Sequence, residues 1–383
     1  MWKGDGKPKV LVGMSGGVDS SVAASSLLDQ GYDVAGAFMK NWSESKDPRT
    51  GECAWKEERR DAMRVAAQLG IPFETFDFEA EYDRRVVDYL YREYAAGRTP
   101  NPDVLCNREV KFDLFLKAAL EAGADFIATG HYARVSRKDD GSFALLAGLD
   151  REKDQSYFVH ALGQEQLARV LFPIGHLDKR DVRAYARDKG LVTADKKDSQ
   201  GICFIGKVEL REFLKRELAP KPGAIVTVEG KEIGRHDDAQ SFTIGQRHGL
   251  GVGGGPALYV VSIDVSTGTV TVAEGADHPA LFKERLTAAR WHWVSGRPPE
   301  FPFRCRARIR YRQPLQTCTL VSDAETPDVS SSDEKVSDEK VSDEKDAHAL
   351  EVRFDRPQRA VTPGQFVVLY DGDAVVGGGV IEK

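Results

Sequence analysis

The chain has 383 residues with 54 Lys and Arg against 60 Asp and Glu, which gives a formal net charge of −6. At about 150 residues per domain this length suggests two or three domains, and a hydrophobic content of 41% excludes wholesale disorder. The sequence has no run of about 18 apolar residues to span a membrane, residues 1–9 lack a signal or transit pattern, and five cysteines favour a reducing, cytoplasmic setting over a disulfide scaffold.

Strands and helices alternate over the first 206 residues. Short apolar runs predict strands at Lys9–Met14, Asp33–Met39, Phe73–Phe78 and Asp125–Thr129. Helical periodicity predicts helices at Ser20–Gln30, Glu57–Leu69, Glu79–Ala96 and Glu109–Ala122. This order indicates an α/β doubly wound parallel sheet, whose ligands gather beyond the carboxyl ends of the strands.

The texture of the sequence changes after Gly206, where Gly and Pro become frequent and short β-like runs replace the helices. We predict a catalytic domain at 1–206, a small middle domain at 207–285, and a C-terminal β-barrel or sandwich at 286–383. Within the last domain the sequence Ser-Asp-Glu-Lys occurs three times, and residues 321–346 are predicted to form an acidic, low-complexity surface loop.

A Gly- and Ser-rich turn joins the first predicted strand to the first predicted helix. It comprises Gly13, Met14, Ser15, Gly16, Gly17, Val18, Asp19, Ser20 and Ser21. A strand–turn–helix of this kind points backbone N–H groups at an anion, and the two adjacent glycines allow a phosphate to approach closely. The turn lacks the Lys of a P-loop and the spacing of a dinucleotide fingerprint. The alternative is a tight βα turn that binds nothing.

The segment Ser15–Ser20 resembles the pyrophosphate loop of the N-type ATP pyrophosphatases. The resemblance implies an adenine nucleotide alpha hydrolase-like fold and ATP, accompanied by Mg²⁺, that is cleaved between its α and β phosphates to adenylate a substrate. Because this loop serves several acceptors, an amidating or ligating synthetase remains an alternative. A non-catalytic tRNA-binding module is a third possibility.

Two cysteines lie in segments that favour reactivity. Cys106 follows Asn101, Pro102 and Asp103, and we expect it on a loop just before a helix N-terminus, where a thiolate is favoured and Asp103 could move protons. Cys203 lies between glycines in a loop that we expect to be mobile. A half-buried loop cysteine and a small core residue are the plain alternatives. Two such thiols beside an adenylating loop suggest sulfur transfer.

Ordered blocks along nearly the whole chain resemble the tRNA-specific 2-thiouridylase family. The similar segments are residues 101–112, 128–134, 153–158, 198–206, 245–251, 310–313 and 362–365. The resemblance implies ATP-dependent exchange of oxygen for sulfur at carbon 2 of the wobble uridine in a tRNA anticodon, with release of AMP and pyrophosphate. The sulfur would come from a relay protein or a cysteine desulfurase, and the enzyme would be cytoplasmic.

The resemblance also implies roles for single residues. Cys203 would carry the persulfide sulfur, Cys106 would be the partner nucleophile that can form a transient disulfide with it, and Asp103 would be an acid/base. Asn101, Pro102 and Asp103 would line the target base. ATP would contact Gly13, Met14, Ser15, Gly16, Gly17, Val18, Asp19, Ser20, Met39 and Gly130. The tRNA would contact His131, Lys153, Asp154, Gln155, Arg310, Tyr311 and Gln365.

A row of arginines occupies alternate positions near the C-terminus: Arg304, Arg306, Arg308, Arg310 and Arg312. At a period of two, all five would lie on one face of a predicted strand over residues 303–311, where RNA phosphates could neutralise them. A solvated face paired with acids of neighbouring strands is the alternative. The net charge of −6 does not oppose this, because residues 321–346 carry −7 and leave +1 for the rest. Cys53, Cys305 and Cys318 are not expected to react, and the last two are predicted to lie in the core.

Overall fold

The computed structural model describes residue 2 and residues 6–43, 53–198, 210–322 and 349–383. Within these ranges there are three sheets, of five, four and eight strands. They form a parallel α/β domain, a small middle domain and a C-terminal antiparallel barrel, so the predicted fold class is confirmed. Cys203 and residues 323–346 of the predicted acidic loop lie outside the described ranges.

The N-terminal region contains the parallel sheet and most of the helices. Its strands are β1 (Lys9–Gly13), β2 (Asp33–Lys40), β3 (Phe73–Asp77), β4 (Phe126–Ala128), β5 (Ala133–Arg137), β6 (Phe143–Ala147) and β7 (Val170–Leu171). Its helices are α1 (Val18–Asp29), α2 (Ala54–Leu69), α3 (79–95), α4 (102–121), α5 (Gln164–Leu167) and α6 (Lys179–Asp188). The parallel sheet has the order β3-β2-β1-β4-β7.

Burial explains why the central strands are continuous apolar runs. Val10, Leu11 and Val12 of β1 are completely buried, because helices cover both faces of a parallel sheet. At the end of α2, Gly70 adopts a left-handed conformation with φ of 66°, which a residue with a side chain rarely adopts. The parallel sheet is therefore buried on both faces, and the loops that follow its strands lie at its carboxyl edge.

Helix α4 begins seven residues earlier than the sequence predicts. The two prolines before Cys106 were expected to exclude a helix, but Pro102 occupies the first helical position, where its missing N–H costs nothing. Asn101 caps this helix by accepting a hydrogen bond from the backbone N–H of Val104 at 3.3 Å. From Cys106 to Leu114 the helix widens to the π form, which is rare and frequent at functional sites.

The middle domain and the barrel account for the remaining strands. A short helix, α7 (Leu210–Leu214), precedes the middle sheet, which contains β8 (Gly223–Thr227), β9 (Glu232–His236), β10 (Leu258–Asp264) and β11 (Thr269–Glu274). The barrel contains β12 (Phe282–Trp293), β13 (Phe303–Arg308), β14 (Gln316–Ser322), β15 (Leu350–Arg359), β16 (Phe366–Asp371) and β17 (Ala374–Ile381). Pairing of β12 with β17 closes it. Cys305 and Cys318 face each other inside it, which confirms their predicted place in the core.

The barrel contacts the N-terminal domain at several places, and two of these contacts bear on the position of α4 and of the sheet. The hairpin β5–β6, which the sequence pattern did not predict, extends the barrel sheet through the pairing of Ala374 with Leu146. On the other side, the Gln365 side chain donates to the carbonyls of Thr99 and Pro100 at 2.8 and 3.1 Å. The barrel therefore holds the segment that leads into α4. No helix in the described ranges is long and apolar enough to cross a membrane.

Candidate active site

The loops after β1, β2 and β4 meet at the carboxyl edge of the parallel sheet. The Gly/Ser turn follows β1, the segment containing Asn41 and Trp42 follows β2, and Gly130 follows β4. Helix α4 packs beneath them, since a Cβ on Gly13 would lie 3.0 Å from Cε of Met39 and 3.5 Å from Cε1 of Phe115. This edge is where open α/β sheets bind their ligands.

The Gly/Ser turn has the geometry of a phosphate-binding loop. Gly16 has a left-handed φ of 71°, and a Cβ there would lie 2.2 Å from the carbonyl oxygen of Glu58 in α2. The Ser20 hydroxyl accepts from the Ser15 backbone N–H at 3.2 Å, and the Ser21 hydroxyl donates to the Gly17 carbonyl at 2.8 Å. These two hydroxyls hold the loop in shape. The first N–H groups of α1, which no helical carbonyl accepts, are left to bind an anion.

Two other predicted nucleotide contacts have clear structural reasons. Gly130 packs on the first turn of α1, because a Cβ there would lie 2.7 Å from the carbonyl carbon of Asp19 and from the nitrogen of Ser20. The side chains of Met14 and Met39 are 1% and 6% exposed. Met39 packs beneath Gly13, whereas Met14 packs against Gly36 of β2 and donates its backbone N–H to the Ala37 carbonyl at 2.7 Å.

A charged network that the sequence pattern did not predict lies beside the loop. Lys179, at the start of α6, is 2.8 Å from both Asp19 and Asp198, and the Tyr132 hydroxyl donates to Asp19 at 2.9 Å. Asp198 also pairs with Lys153 at 2.8 Å. Burial opposes ionisation of Asp198, but hydrogen bonds from Lys153 and Lys179 outweigh it and lower its pKa to about 2. Lys153, in a turn, and Lys179, at the start of α6, thus converge next to the loop, a meeting that only the fold could bring about.

Cys106 is not on a loop, contrary to the sequence-based expectation. It is completely buried within α4, in a cluster that includes Trp42, Tyr82 and Phe213. It lies beyond the first turn of the helix, where the effect of the N-terminal dipole has fallen off. Asp103 instead occupies that first turn. The thiol is therefore buried within the helix rather than exposed on a loop.

Several predicted tRNA contacts lie inside the protein. His131 is 8% exposed, its Nδ1 is 2.7 Å from the Thr129 hydroxyl, and burial lowers its pKa well below the usual value, so the ring is neutral. Asp154 is 1% exposed; one oxygen accepts from the backbone of Gly148 and Ser156 at 3.0 Å. Asp154 thus supports the fold and cannot reach RNA in this arrangement.

Two further predicted contacts act within the protein. The Gln155 side chain accepts from the backbone N–H of Tyr132 at 3.0 Å. Gln365 is 6% exposed, and its oxygen lies 3.4 Å from the Asn101 amide nitrogen, which is a weak hydrogen bond. Gln365 therefore positions the segment of Asn101, Pro102 and Asp103.

The predicted row of five arginines on one strand face is wrong. Strand β13 ends at Arg308, which turns inward, is 6% exposed and lies 3.2 Å from Asp154. Arg304 is paired with Asp355 of β15, as expected from the alternative in which acids of neighbouring strands pair with this face. Arg310 is mostly buried and donates to the Thr362 hydroxyl at 2.6 Å, and burial lowers its pKa. The row breaks because β13 is too short to carry it.

The remaining arginines face a basic cleft between the N-terminal domain and the barrel. Arg306 donates to the carbonyl of Gly372 at 2.8 Å and forms no ion pair with a described carboxylate, while Arg312 is exposed and lies over the Tyr311 ring. Tyr311 itself packs on Phe158. The cleft has a volume of about 800 Å³ and is lined by Arg151, Glu152, Lys153, Arg306, Arg308, Arg312, Gln313, Pro314, Leu315 and Asp373. Its five cations exceed its two acids, which suits an anionic ligand.

Comparisons with known proteins match the whole chain. Family profiles match residues 8–207 (tRNA methyl transferase HUP domain), 211–274 (tRNA methyl transferase PRC-barrel domain), and 283–338 and 329–381 (aminomethyltransferase beta-barrel domain). The tRNA-specific 2-thiouridylase MnmA of Geobacillus thermodenitrificans is 49% identical over 100% of this chain and 97% of its own length. The protein of the same name from Pseudomonas aeruginosa is 51% identical over 98% and 95%. A solved 4-thiouridine synthetase–RNA complex with bound ATP is 21% identical, with a TM-score of 0.35, over 56% of this chain and 50% of its own.

Proposed function

This chain belongs to the family of tRNA-specific 2-thiouridylases, and from that premise we propose how its residues exchange oxygen for sulfur in tRNA. ATP binds over the Gly/Ser turn, and the carbon 2 oxygen of the wobble uridine attacks its α phosphate, which releases pyrophosphate. The adenylated oxygen is then a good leaving group, and AMP departs when sulfur attacks carbon 2. The observation that carries this proposal is that α4, which contains the buried Cys106, packs through Phe115 against Gly13 at the start of the phosphate loop.

Sulfur delivery requires two thiols. We assign the persulfide to Cys203, and Cys106 attacks the sulfur of Cys203 as the outer sulfur is transferred, which leaves a disulfide between them. Asp103, in the first turn of α4, lies one helical turn before Cys106 and serves as the acid/base. A relay protein or a cysteine desulfurase supplies the persulfide sulfur, and we place the enzyme in the cytoplasm, where thiols stay reduced.

The residues of the loop suit Mg²⁺ that enters with ATP. Magnesium in nucleotide sites uses one or two carboxylates together with the phosphates, and Asp19 is the carboxylate of this loop. Its side chain is 31% exposed, so it faces the site. Bound Mg²⁺ would neutralise charge on the departing pyrophosphate. Lys179 and Tyr132 both donate to Asp19 and hold its carboxylate in place.

The wobble base has to leave its stack to reach this site, as in other enzymes that act on a base. We propose that Asn101, Pro102 and Asp103 line the extruded uridine and that Gln365, from the barrel, holds this segment in position. His131, Asp154 and Gln155 support this edge from the interior, and we propose that the partly exposed side chains of Lys153, Arg310 and Tyr311 contact the RNA. The basic cleft receives phosphates of the anticodon arm.

The reaction is tested by mass analysis of the wobble nucleoside. Unmodified tRNA is incubated with ATP and a persulfide source, and we expect one oxygen to be replaced by sulfur, with AMP formed in step. The matched profiles are described as methyl transferases. Methyl transfer would add a methyl group and would not require ATP cleavage, so the same spectrum distinguishes the two. An amidating synthetase would continue to turn over after its cysteines are alkylated.

The basic cleft gives a matched pair of variants on one strand. Arg306→Ala removes a cation that has no carboxylate partner among the described residues, so we expect weaker tRNA binding and a salt slope that is lower by about 1. Arg304→Ala removes a cation already neutralised by Asp355 and should leave both quantities nearly unchanged. Titrations of tRNA at several salt concentrations measure the slopes. Equal effects of the two variants would contradict the placement of RNA in the cleft.

A further inference from the structure

The carboxyl end of β2 carries a polar side chain whose hydrogen-bonding groups are unused. Asn41, the first residue after β2, is 1% exposed, and neither its amide nitrogen nor its amide oxygen has a hydrogen-bond partner among the described residues. The indole N–H of the next residue, Trp42, is also buried and unpaired. Nearly all buried polar groups in proteins are paired, so two consecutive residues of this kind need an explanation.

The position of this pair matches the place where a base must bind. Strand β2 lies beside β1, with Ala37 opposite Gly13, so Asn41 extends past the phosphate loop at the ligand edge of the sheet. Met39, two residues before it, contacts the base of that loop. Trp42, directly after it, packs in the buried cluster around Cys106. Asn41 therefore lies on the stretch of chain that connects the nucleotide loop with the thiol.

The unpaired amide donor and acceptor of Asn41 indicate which kind of ligand it binds. A primary amide offers one donor and one acceptor side by side, which is the complement of the N3–H and O4 edge of uracil. Binding by that edge leaves the carbon 2 oxygen free for adenylation. We propose that Asn41 is a specificity-determining residue that holds the target uracil through N3–H and O4, an inference that rests on the proposed function.

The unpaired amide of Asn41 is expected to lower the stability of the enzyme when no substrate is bound. A buried amide without partners destabilises the folded protein, and it is retained only where a ligand completes its bonds. Replacing Asn41 by Leu should therefore raise or maintain the melting temperature while it lowers turnover. Asn107 gives the contrast: only its amide oxygen lacks a partner, and its amide nitrogen donates to the Asp103 carbonyl at 2.9 Å, so Asn107→Leu breaks a hydrogen bond and should lower the melting temperature.

The test is a double-mutant cycle that combines a change in the enzyme with a change in the substrate. Anticodon stem-loops carry either uridine or N3-methyluridine at the wobble position, and each is given to the wild type and to Asn41→Ala. N3-methylation removes the N3–H group, from which the amide oxygen would accept a hydrogen bond. Cytidine is a poorer probe, because a rotated amide would also fit its edge.

We expect the wild type to discriminate against N3-methyluridine by about 100-fold in kcat/KM and the variant by less than about 5-fold. Binding of the same stem-loops, measured without ATP, should show the same loss of discrimination in Asn41→Ala. This second readout separates the proposed function from the role of Asn41. A wild type that binds the stem-loops but never thiolates them would contradict the proposed function. The binding measurements on wild type and variant would still test the role of Asn41.

Two results would overturn the inference. If Asn41→Ala lowers activity on both stem-loops by the same factor, Asn41 has a structural role only. If the variant raises the KM for ATP and keeps its discrimination between the two bases, the amide contacts adenine rather than uracil. A fall in the melting temperature of Asn41→Leu as large as that of Asn107→Leu would also contradict it.

Discussion

Replacing Cys203 by Ser is expected to abolish thiolation of tRNA, by about 10³-fold or more, while tRNA-dependent release of pyrophosphate continues as far as the adenylated tRNA. A hydroxyl cannot carry a persulfide, whereas binding and adenylation use the Gly/Ser turn and α1, which this change does not touch. Two products are measured in one reaction: the thio-nucleoside by mass spectrometry and the released pyrophosphate by a coupled assay. Full thiolation by the variant would remove Cys203 from the mechanism.

Cys106→Ser should distinguish the role of Cys106 from that of Cys203. We expect the variant still to accept sulfur on Cys203, visible as a mass gain of one sulfur atom, but to lose thiolation of tRNA to a similar extent. Cys106 is completely buried, so an equivalent result with alkylating reagents would require the site to open. A variant that thiolates tRNA normally would show that Cys106 is only a core residue of α4.

The matched control for both variants is Cys53→Ser. Cys53 is a half-buried free thiol at the N-cap of α2, a position where Ser is preferred over most residues. This change should leave thiolation and AMP formation unaltered and the stability equal or slightly higher. Loss of activity in this control would mean that thiol replacement perturbs the protein in general.

Gly16→Ala is expected to have the second largest effect, on folding and on ATP use together. Gly16 has a φ of 71°, and the added Cβ would lie 2.2 Å from the Glu58 carbonyl oxygen, so both the backbone conformation and the packing against α2 oppose it. Such strain costs about 1–3 kcal/mol, and we expect a lower free energy of unfolding and almost no AMP formation. Denaturant unfolding and the AMP assay measure the two effects.

The neighbouring glycine separates folding from binding. A Cβ on Gly17 would meet only the Ser15 hydroxyl at 3.4 Å, and its φ of −95° suits any residue. Gly17→Ala should therefore fold with nearly wild-type stability, and any rise in the KM for ATP would come from the Cβ that faces the phosphates. Equal losses of stability in the two variants would contradict the assigned geometry of the loop.

The sequence predicted well the features that depend on local patterning. Strand β1 is a short apolar run before a Gly/Ser turn, and its burial, its place in a parallel sheet and the helix that follows it were all predictable. Cys305 and Cys318 were predicted to lie in the core because they fall in β-like runs, and both are buried. The motif blocks predicted family membership, since they recur at fixed order along the chain.

The sequence misled where one local rule competed with another. Prolines usually break helices, yet Pro102 after a capping Asn101 starts α4, and this moved Cys106 from a loop into a buried helix. Alternating arginines indicate one strand face, yet β13 ends at Arg308, whose side chain turns inward towards Asp154. The first outcome follows from local capping by Asn101, whereas the second depends on Asp154, a distant partner that no window of sequence around Arg308 contains.

By itself, then, the sequence determined the type of each domain, the phosphate loop and the family, because these follow from periodicity and from contiguous motifs. Only the tertiary structure decided which side chains share the site. Lys179 meets Asp19 across 160 positions, and Gln365 reaches Thr99 across 266, through contacts made when the sheet and the barrel pack together. The unpaired amide of Asn41 likewise becomes visible only in the folded protein, because a polar group lacks a partner only with respect to everything that surrounds it.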